Sequence, residues 1–312
     1  VTGCGGPLVR GALRRGRMRG CGMQGEAMKR VSILGDSIST FEGCVPEGFR
    51  VYYEGARRRA TGVKLPSDTW WAQVVSGMGG VPWRVGAYSG SLVEGAGFPA
   101  GESAERVAAL ARDGVAPDEV LVFMGVNAYG WGCAAAQAAG RGNAVPACLD
   151  LADVEPQMPG LADADAAERF GAAYERMLAR VRRAYPQTTV RCCTLCPGRV
   201  ADCDRSTFAY NLRGVPIECY NDAIRAAAAR TGCAVADVAA LEFDYEAVDG
   251  THPTARGMRQ LAALVLHAMG LADDAAVAAT GAPRSQRSCE GPCVGCEHAA
   301  STGAAWLCVC RR

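Results

Sequence analysis

Strand-like and helix-like segments alternate about five times along the middle of this chain, and that alternation restricts the folds open to it. Short apolar runs of strand length predict buried strands. They lie at residues 30–34, 83–87, 119–124, 189–195 and 234–238. Strands that alternate with helices favour a parallel sheet covered on both faces. The sequence therefore predicts a three-layer α/β/α sandwich with a mostly parallel five-stranded sheet, of the doubly wound, flavodoxin-like type.

Helical spacing of apolar residues supports the intervening helices, which we place at residues 69–77, 102–112, 166–185, 218–231 and 254–269. The segment 166–185 shows the clearest pattern, with charged residues opposite an apolar stripe and Pro186 ending the run. That stripe consists of Phe170, Tyr174, Met177, Leu178, Val181 and Tyr185.

Composition narrows the function classes. The 312 residues are 49% hydrophobic and 21% charged, which is typical of a globular protein. The formal net charge of +1 gives no global field for nucleic acid or an anionic membrane. No stretch approaches the roughly 20 apolar residues that a membrane span needs. We expect a cytoplasmic protein that binds neither nucleic acid nor membrane; the oligomeric state stays open.

The two ends differ from the middle. Residues 1–27 are rich in Gly and Arg without the apolar stretch of a secretory signal, so we expect a disordered extension or a segment upstream of the true start codon. Residues 28–270 form the main predicted domain and residues 271–288 a linker. The tail at 289–312 is rich in possible zinc ligands, and zinc binding or free thiols stay equally open there. These ligands are Cys289, Cys293, Cys296, His298, Cys308 and Cys310.

The other cysteines, from a total of 16, are expected to be reduced and to pack in the core or in loops. Cys193 and Cys196 have C-x-x-C spacing, but a redox motif of that kind opens a helix, and here Pro197 and Gly198 follow.

Histidine is scarce, with three in the whole chain, and His252 is the one with a carboxylate three residues upstream. A serine hydrolase needs an imidazole, because only histidine has an ordinary pKa suited to proton transfer near neutral pH. A serine in the required setting follows the first predicted strand, where Gly35, Asp36 and Ser37 form a turn. Turn chemistry alone also explains that serine, and a helix-entry turn alone also explains His252.

Four short blocks together resemble the SGNH hydrolases, also called GDSL-type lipases and acylhydrolases. They are Gly-Asp-Ser-Ile-Ser at 35–39, Tyr-Ser-Gly-Ser at 88–91, Met-Gly-Val-Asn at 124–127 and Asp-Gly-Thr-His-Pro at 249–253. They occur in the order of that family and cover roughly residues 30–270. One departure is Ala128, where family members usually have aspartate after the asparagine.

The resemblance implies a catalytic triad of Ser37, Asp249 and His252. It also implies an oxyanion hole made by Ser37, Gly90 and Asn127, with no cofactor and no metal. The implied activity is a carboxylic ester hydrolase that acts on short-acyl or acetyl esters, including those on carbohydrate, through an acyl-enzyme. The alternative is a catalytically inactive SGNH-like binding protein whose Cys-rich tail binds a metal or a partner.

Two long connections, at 35–68 and 125–165, are of a length that usually builds a site. Their aromatic residues either wall a pocket or pack the loops onto the body, and we expect packing for most of them. These residues are Phe41, Phe49, Tyr52, Tyr53, Tyr129 and Trp131. The basic run at 57–59 is expected to be a solvated loop, with binding of an acidic substrate as the alternative.

Overall fold

The computed structural model describes residues 28–95, 97–131, 163–200 and 215–285. Its strands are, in chain order, β1 (Lys29–Gly35), β2 (Gly80–Ala87), β3 (Glu119–Phe123), β4 (Thr189–Cys193), β5 (Gly198–Val200), β6 (Ala234–Ala236) and β7 (Tyr245–Ala247). A five-stranded sheet has the order β2-β1-β3-β4-β6, and all its neighbouring strands pair in parallel. The predicted parallel sheet is confirmed.

Helices cover this sheet. They are α1 (Gly55–Thr61), α2 (Trp70–Gly77), α3 (Ala104–Ala108), α4 (Ala166–Ala184), α5 (Ile217–Thr231), α6 (Ala255–Ala268) and α7 (Asp274–Ala279). One group is α2 packed against α6, and the other is α4 packed against α3 and α5. The stripe predicted on α4 is buried, and β3 is buried along its whole length. The three-layer α/β/α architecture therefore agrees with the prediction.

Several elements have bounds that the sequence pattern did not predict. The strand predicted at 83–87 begins at Gly80, because its first residues pair with β1 from Lys29 onward. The helix predicted at 102–112 is only five residues long, at Ala104–Ala108. The parallel pair β5 and β7 was not predicted, since three-residue strands are too short to show a period.

The basic run at 57–59 lies in α1, not in a loop. Three consecutive arginines show no apolar periodicity, so the helix leaves no local signal. Arg58 forms an ion pair with Glu42, 2.8 Å away, and its guanidinium lies over the ring of Phe41. This side chain therefore joins two parts of the long β1–α2 connection to each other.

Residues 271–285, the described part of the linker predicted at 271–288, are structured. Helix α7 buries Val277, and the N–H of Asp244 donates to the Pro283 carbonyl at 2.8 Å. Ser285 donates from its side chain to the carboxylate of Asp244. The packed domain thus extends to Ser285, beyond the boundary predicted at residue 270, because these contacts are made with residues distant in sequence. The predicted N-terminal extension and the Cys-rich tail lie outside the described residues.

Buried cysteines behave as the sequence predicted. Cys192, Cys193 and Cys196 are free thiols with almost no exposed surface, and burial raises the pKa of Cys193 to about 12. A thiol held in that protonated state is a poor redox nucleophile.

Over the described ranges, no helix combines the length and apolar character required to span a bilayer.

Three neighbouring strands bring three of the sequence blocks to one edge of the sheet. Gly35, at the end of β1, is in register with Ala87 of β2 on one side and Phe123 of β3 on the other. Because parallel strands end at the same edge, the loops that follow them are neighbours. Those loops carry Ser37, Gly90 and Asn127.

Candidate active site

The turn after β1 holds Ser37 in a fixed position. Ser37 begins a single 3₁₀ turn, and the side chain of Asp36 caps it by accepting a hydrogen bond from the N–H of Ile38 at 3.1 Å. Gly35 must lack a side chain, because a Cβ atom there would lie 2.5 Å from Oγ of Ser39. Ser39 is itself held by the indole N–H of Trp70, which donates to that Oγ at 3.1 Å. Local hydrogen bonds and close packing thus define the turn.

The loop before α6 holds His252. Oδ1 of Asp249 accepts hydrogen bonds from the backbone N–H groups of Thr251 at 3.0 Å and His252 at 2.8 Å. Thr254 then caps α6, its side chain accepting from the N–H of Gly257. The carboxylate therefore folds its own loop and fixes the backbone of the histidine three residues later.

Ser37, His252 and Asp249 form one chain of hydrogen bonds. Nε2 of His252 lies 2.9 Å from Oγ of Ser37, and Nδ1 lies 2.7 Å from Oδ2 of Asp249. An ionised carboxylate can only accept, so Nδ1 carries the hydrogen and Nε2 is left to accept from the serine hydroxyl. The geometry thus joins residues 215 positions apart in the arrangement predicted for them.

Burial and hydrogen bonding define the electrostatics of this chain. Ser37 is 2% exposed and His252 is 1% exposed. Burial alone would raise the pKa of Asp249. Hydrogen bonds from His252 and Thr251, together with the charge that His252 can carry, outweigh it and hold the pKa below its ordinary value. Asp249 is therefore ionised at neutral pH, which is the state that stabilises an imidazolium.

The two further residues of the predicted oxyanion hole lie in adjoining loops. Gly90 has a φ of +76°, a left-handed conformation that favours glycine, although a Cβ there would meet no atom of the described part of the chain within 4 Å. The side-chain amide of Asn127 donates to the carbonyl of Ser91 at 3.0 Å. This bond links the second and third sequence blocks. The amide group has two N–H hydrogens, and the other is free to serve a further acceptor.

Ala128, the departure from the family pattern, is buried, and the hydroxyl of Tyr220 lies 3.5 Å from its carbonyl oxygen. The N–H of Tyr129, one residue further on, donates to the Gly125 carbonyl at 2.9 Å. Backbone and tyrosine contacts therefore hold this loop at a position where a carboxylate is more usual.

Arg106 is a functional candidate that sequence reasoning missed. Its side chain is completely buried and donates to the carbonyls of Gly35, Gly86 and Pro99, the Gly86 bond being 3.0 Å long. It thus joins the ends of β1 and β2, from which the Ser37 and Gly90 loops emerge. An arginine inside a short helix carries no sequence signal for this role.

Asp36 lies beside Ser37 and is also buried. Its Oδ2 has no hydrogen-bond partner among the residues that the structure describes. Burial raises the pKa of Asp36 to about 7 against the opposing effects of the Ile38 N–H and the Arg106 charge. A carboxyl directly before the candidate nucleophile therefore changes its charge near neutral pH.

An aromatic cluster adjoins the Gly90 loop. Phe49, Tyr88 and Phe98 pack edge to face in all three pairs, with ring centroids 4.8 to 5.2 Å apart. Phe49 keeps 38% of its surface exposed. Of the aromatic residues in the two long connections, Phe41, Tyr52, Tyr53 and Tyr129 are buried, as expected for packing.

Tyr52 nevertheless has a more specific location than packing requires, since its ring stacks on the ring of His252.

Within the described residues, no group of three or more His, Cys, Asp or Glu side chains is placed to hold a metal ion.

Comparison with known proteins agrees with this architecture. Residues 33–260 match the model of the GDSL-like lipase/acylhydrolase family. The fold resembles a protein described as a GDSL-like lipase from Bacteroides ovatus, with 19% identity, a TM-score of 0.50 and coverage of 78% of this chain and 99% of that one. A second, from Bacteroides uniformis, has 21% identity, a TM-score of 0.50 and coverage of 78% and 97%.

A carbohydrate acetylesterase family member from Sinorhizobium meliloti has 16% identity, a TM-score of 0.46 and coverage of 78% and 100%. At these identities the structural likeness concerns the fold. A comparison with curated proteins gave no match. The family match spans all four sequence blocks and well over half of the chain, so this protein belongs to the GDSL-like lipase/acylhydrolase family and is an ester hydrolase.

Proposed function

We propose that this enzyme hydrolyses short-acyl or acetyl esters, including those on carbohydrate, with Ser37 as the nucleophile of an acyl-enzyme mechanism. The observation that carries the proposal is the hydrogen-bonded chain from Ser37 Oγ to His252 Nε2, 2.9 Å, and from His252 Nδ1 to Asp249 Oδ2, 2.7 Å. Those distances lie within the range at which a base takes a proton from a nucleophile.

In the first step, Oγ of Ser37 forms a bond to the ester carbonyl carbon, and its proton passes to Nε2 of His252. The carbonyl π electrons move onto oxygen, giving a tetrahedral oxyanion. Asp249 holds the imidazole in the required tautomer and stabilises the imidazolium. His252 then donates that proton to the departing alkoxide, and the C–O bond to the alcohol breaks.

The oxyanion needs hydrogen-bond donors placed before the reaction begins. We assign this role to the backbone N–H groups of Ser37 and Gly90 and to the side-chain amide of Asn127. The left-handed backbone of Gly90 and the bond from Asn127 to Ser91 support this assignment, because both restrict the loops that present the donors.

Water completes the cycle. His252 takes a proton from water as it attacks the acyl carbonyl, and the proton then passes to Ser37 Oγ as the acyl group leaves as a carboxylic acid. Each proton moves between groups already named, so the proposed reaction requires no cofactor.

The exposed ring of Phe49 in the aromatic cluster supports a small apolar or sugar moiety on the substrate. Phe49 presents its ring beside the Gly90 loop and packs on Tyr88 and Phe98. Aromatic faces bind both apolar groups and the C–H faces of sugars through burial of apolar surface. We expect Phe49→Ala to raise KM for the preferred ester and to leave kcat nearly unchanged.

Fluorophosphonate labelling tests the nucleophile. Wild-type protein should be labelled and should hydrolyse p-nitrophenyl esters, with the highest kcat/KM for acetyl and other short acyl groups. Ser37→Ala should lose both properties while it keeps the fold. Equal labelling of the two proteins, or no labelling of either, would refute the proposal and favour a binding protein built on this fold.

A further inference from the structure

The side chain of Tyr52 contacts both His252 and Asp249, the two residues predicted to act with Ser37. The ring of Tyr52 stacks flat on the ring of His252, with centroids 3.4 Å apart and an interplanar angle of 4°. The hydroxyl of Tyr52 donates to Oδ2 of Asp249 at 3.2 Å. Oδ2 is the oxygen that also accepts from His252 Nδ1.

The main chain of Tyr52 is tied to the serine turn. Its N–H donates to Oγ1 of Thr40 at 2.9 Å, and the Thr40 hydroxyl donates to the carbonyl of Ser37 at 2.9 Å. Tyr52 is therefore linked to all three members of the predicted triad, directly to two and through Thr40 to the third.

The hydroxyl acts as a donor throughout the neutral range. Burial, followed by the charge of Asp249 and the hydrogen bond to it, raises the pKa of Tyr52 above its ordinary value. A phenol that stays protonated beside a carboxylate gives it a stable fourth hydrogen bond, after those from His252 Nδ1 and the N–H groups of Thr251 and His252.

The ring restricts a torsion that histidine itself leaves soft. The last side-chain torsion of histidine joins an sp³ carbon to an sp² ring and is broadly distributed, so the imidazole plane needs an external support. A parallel aromatic face at 3.4 Å supplies it. The same face also attracts a cation, so it favours the imidazolium that forms during catalysis.

We propose that Tyr52 is the positioning residue of this enzyme: its ring fixes the plane of the His252 imidazole, and its hydroxyl fixes the Asp249 carboxylate. This inference rests on the hydrolase function proposed above. Tyr52 acts through His252 and Asp249, so it should affect kcat far more than KM.

Two substitutions separate the ring from the hydroxyl. Tyr52→Leu removes both and should lower kcat for p-nitrophenyl acetate about 100-fold, with KM changed by no more than about twofold, because a misplaced base loses its attack geometry. Tyr52→Phe keeps the ring and should lose at most about tenfold, because the Asp249 carboxylate keeps its three other hydrogen bonds. Tyr185→Phe is a matched control, because it removes a hydroxyl that donates to the Val107 and Ala108 carbonyls, and it should leave kcat unchanged.

A second measurement does not depend on activity. The chain has three histidines, so ¹⁵N spectra of their side chains are simple to assign. His252 should keep its hydrogen on Nδ1 in all three proteins, because Asp249 fixes that tautomer. Its ring ¹⁵N resonances should match in the wild type and Tyr52→Phe, and should broaden in Tyr52→Leu because the plane of the imidazole is no longer fixed.

The proposal is overturned if Tyr52→Leu keeps its kcat, loses it only in proportion to the unfolded fraction, or retains the wild-type His252 spectrum. If the wild type is not labelled by the fluorophosphonate and does not hydrolyse esters, the hydrolase proposal fails. The spectra then still decide whether Tyr52 positions the imidazole.

Discussion

The side-chain amide of Asn127 donates a hydrogen bond to the carbonyl oxygen of Ser91, 3.0 Å away. This bond joins the loop after β3 to the loop after β2 and sets the direction of the second amide hydrogen. The contact between Asn127 and Ser91 therefore holds the two loops together and also orients the amide that we propose stabilises the oxyanion.

Replacement of Asn127 by Ala should lower kcat for p-nitrophenyl acetate by about 10²–10³, with little change in KM, because an oxyanion-hole donor acts mainly in the transition state. Asn127→Asp keeps the shape but places a carboxylate beside the developing negative charge, so its loss should be at least as large. If Asn127→Ala retains most of its kcat, the amide only ties the two loops together.

Replacement of Asp249 by Asn should lower kcat by about 10⁴, because the amide can donate to Nδ1 and thereby favour the wrong histidine tautomer. The rate of fluorophosphonate labelling should fall in parallel, whereas Ser37→Ala should show no labelling at all. A variant with more than about a tenth of the wild-type rate would contradict the role proposed for this carboxylate.

Arg57 covers the remaining face of Tyr52. Its guanidinium carbon lies 4.9 Å from the centre of the Tyr52 ring, and His252 already occupies one face at 3.4 Å. An exposed cation–π contact contributes about 0.5–1 kcal/mol, so Arg57→Gln should lower kcat about two- to fivefold by loosening the ring.

Arg59→Gln is the matched control for Arg57, because Arg59 lies in the same helix, has the same charge and is likewise exposed. Its kcat should match that of the wild type. Equal losses in the two variants would attribute the effect to net charge rather than to the stack on Tyr52.

Stability should depend on pH through Asp36. The pKa of this buried carboxyl is raised from 3.8 to about 7 in the folded state. Between these values the folded protein binds more protons than the unfolded chain. The contribution of Asp36 is therefore fully present below about pH 4 and is lost as the pH rises through 7.

Asp36→Asn removes this titration. Relative to wild type, the variant should therefore become more stable between pH 5 and pH 8, with its free energy of unfolding rising by roughly 2–3 kcal/mol, because wild type loses the Asp36 contribution over that range. Urea unfolding at the two pH values measures the change. A constant difference between the proteins over that range would show that Asp36 does not titrate there.

The local sequence was enough to predict the architecture. In β3 four apolar residues follow Glu119, and α4 repeats its apolar residues every three or four positions, so both elements can be recognised from local sequence. Parallel strands then end at one edge of the sheet, so the positions of Ser37 and Asn127 after strands implied that their loops would be neighbours. The hydrogen bonds between Ser37, His252 and Asp249 have the geometry expected from these blocks.

Other features depended on tertiary contacts alone. Tyr52 reads as an ordinary loop aromatic, and nothing in its neighbourhood in sequence indicates that it stacks on a histidine 200 positions away. Arg106 reads as one more charge on a short helix, and residues 271–285 read as a linker until their contacts with Asp244 and α6 are known. The physical reason is that periodicity reports which side of an element faces the core, whereas the partner across that core is chosen by the packing of the whole chain.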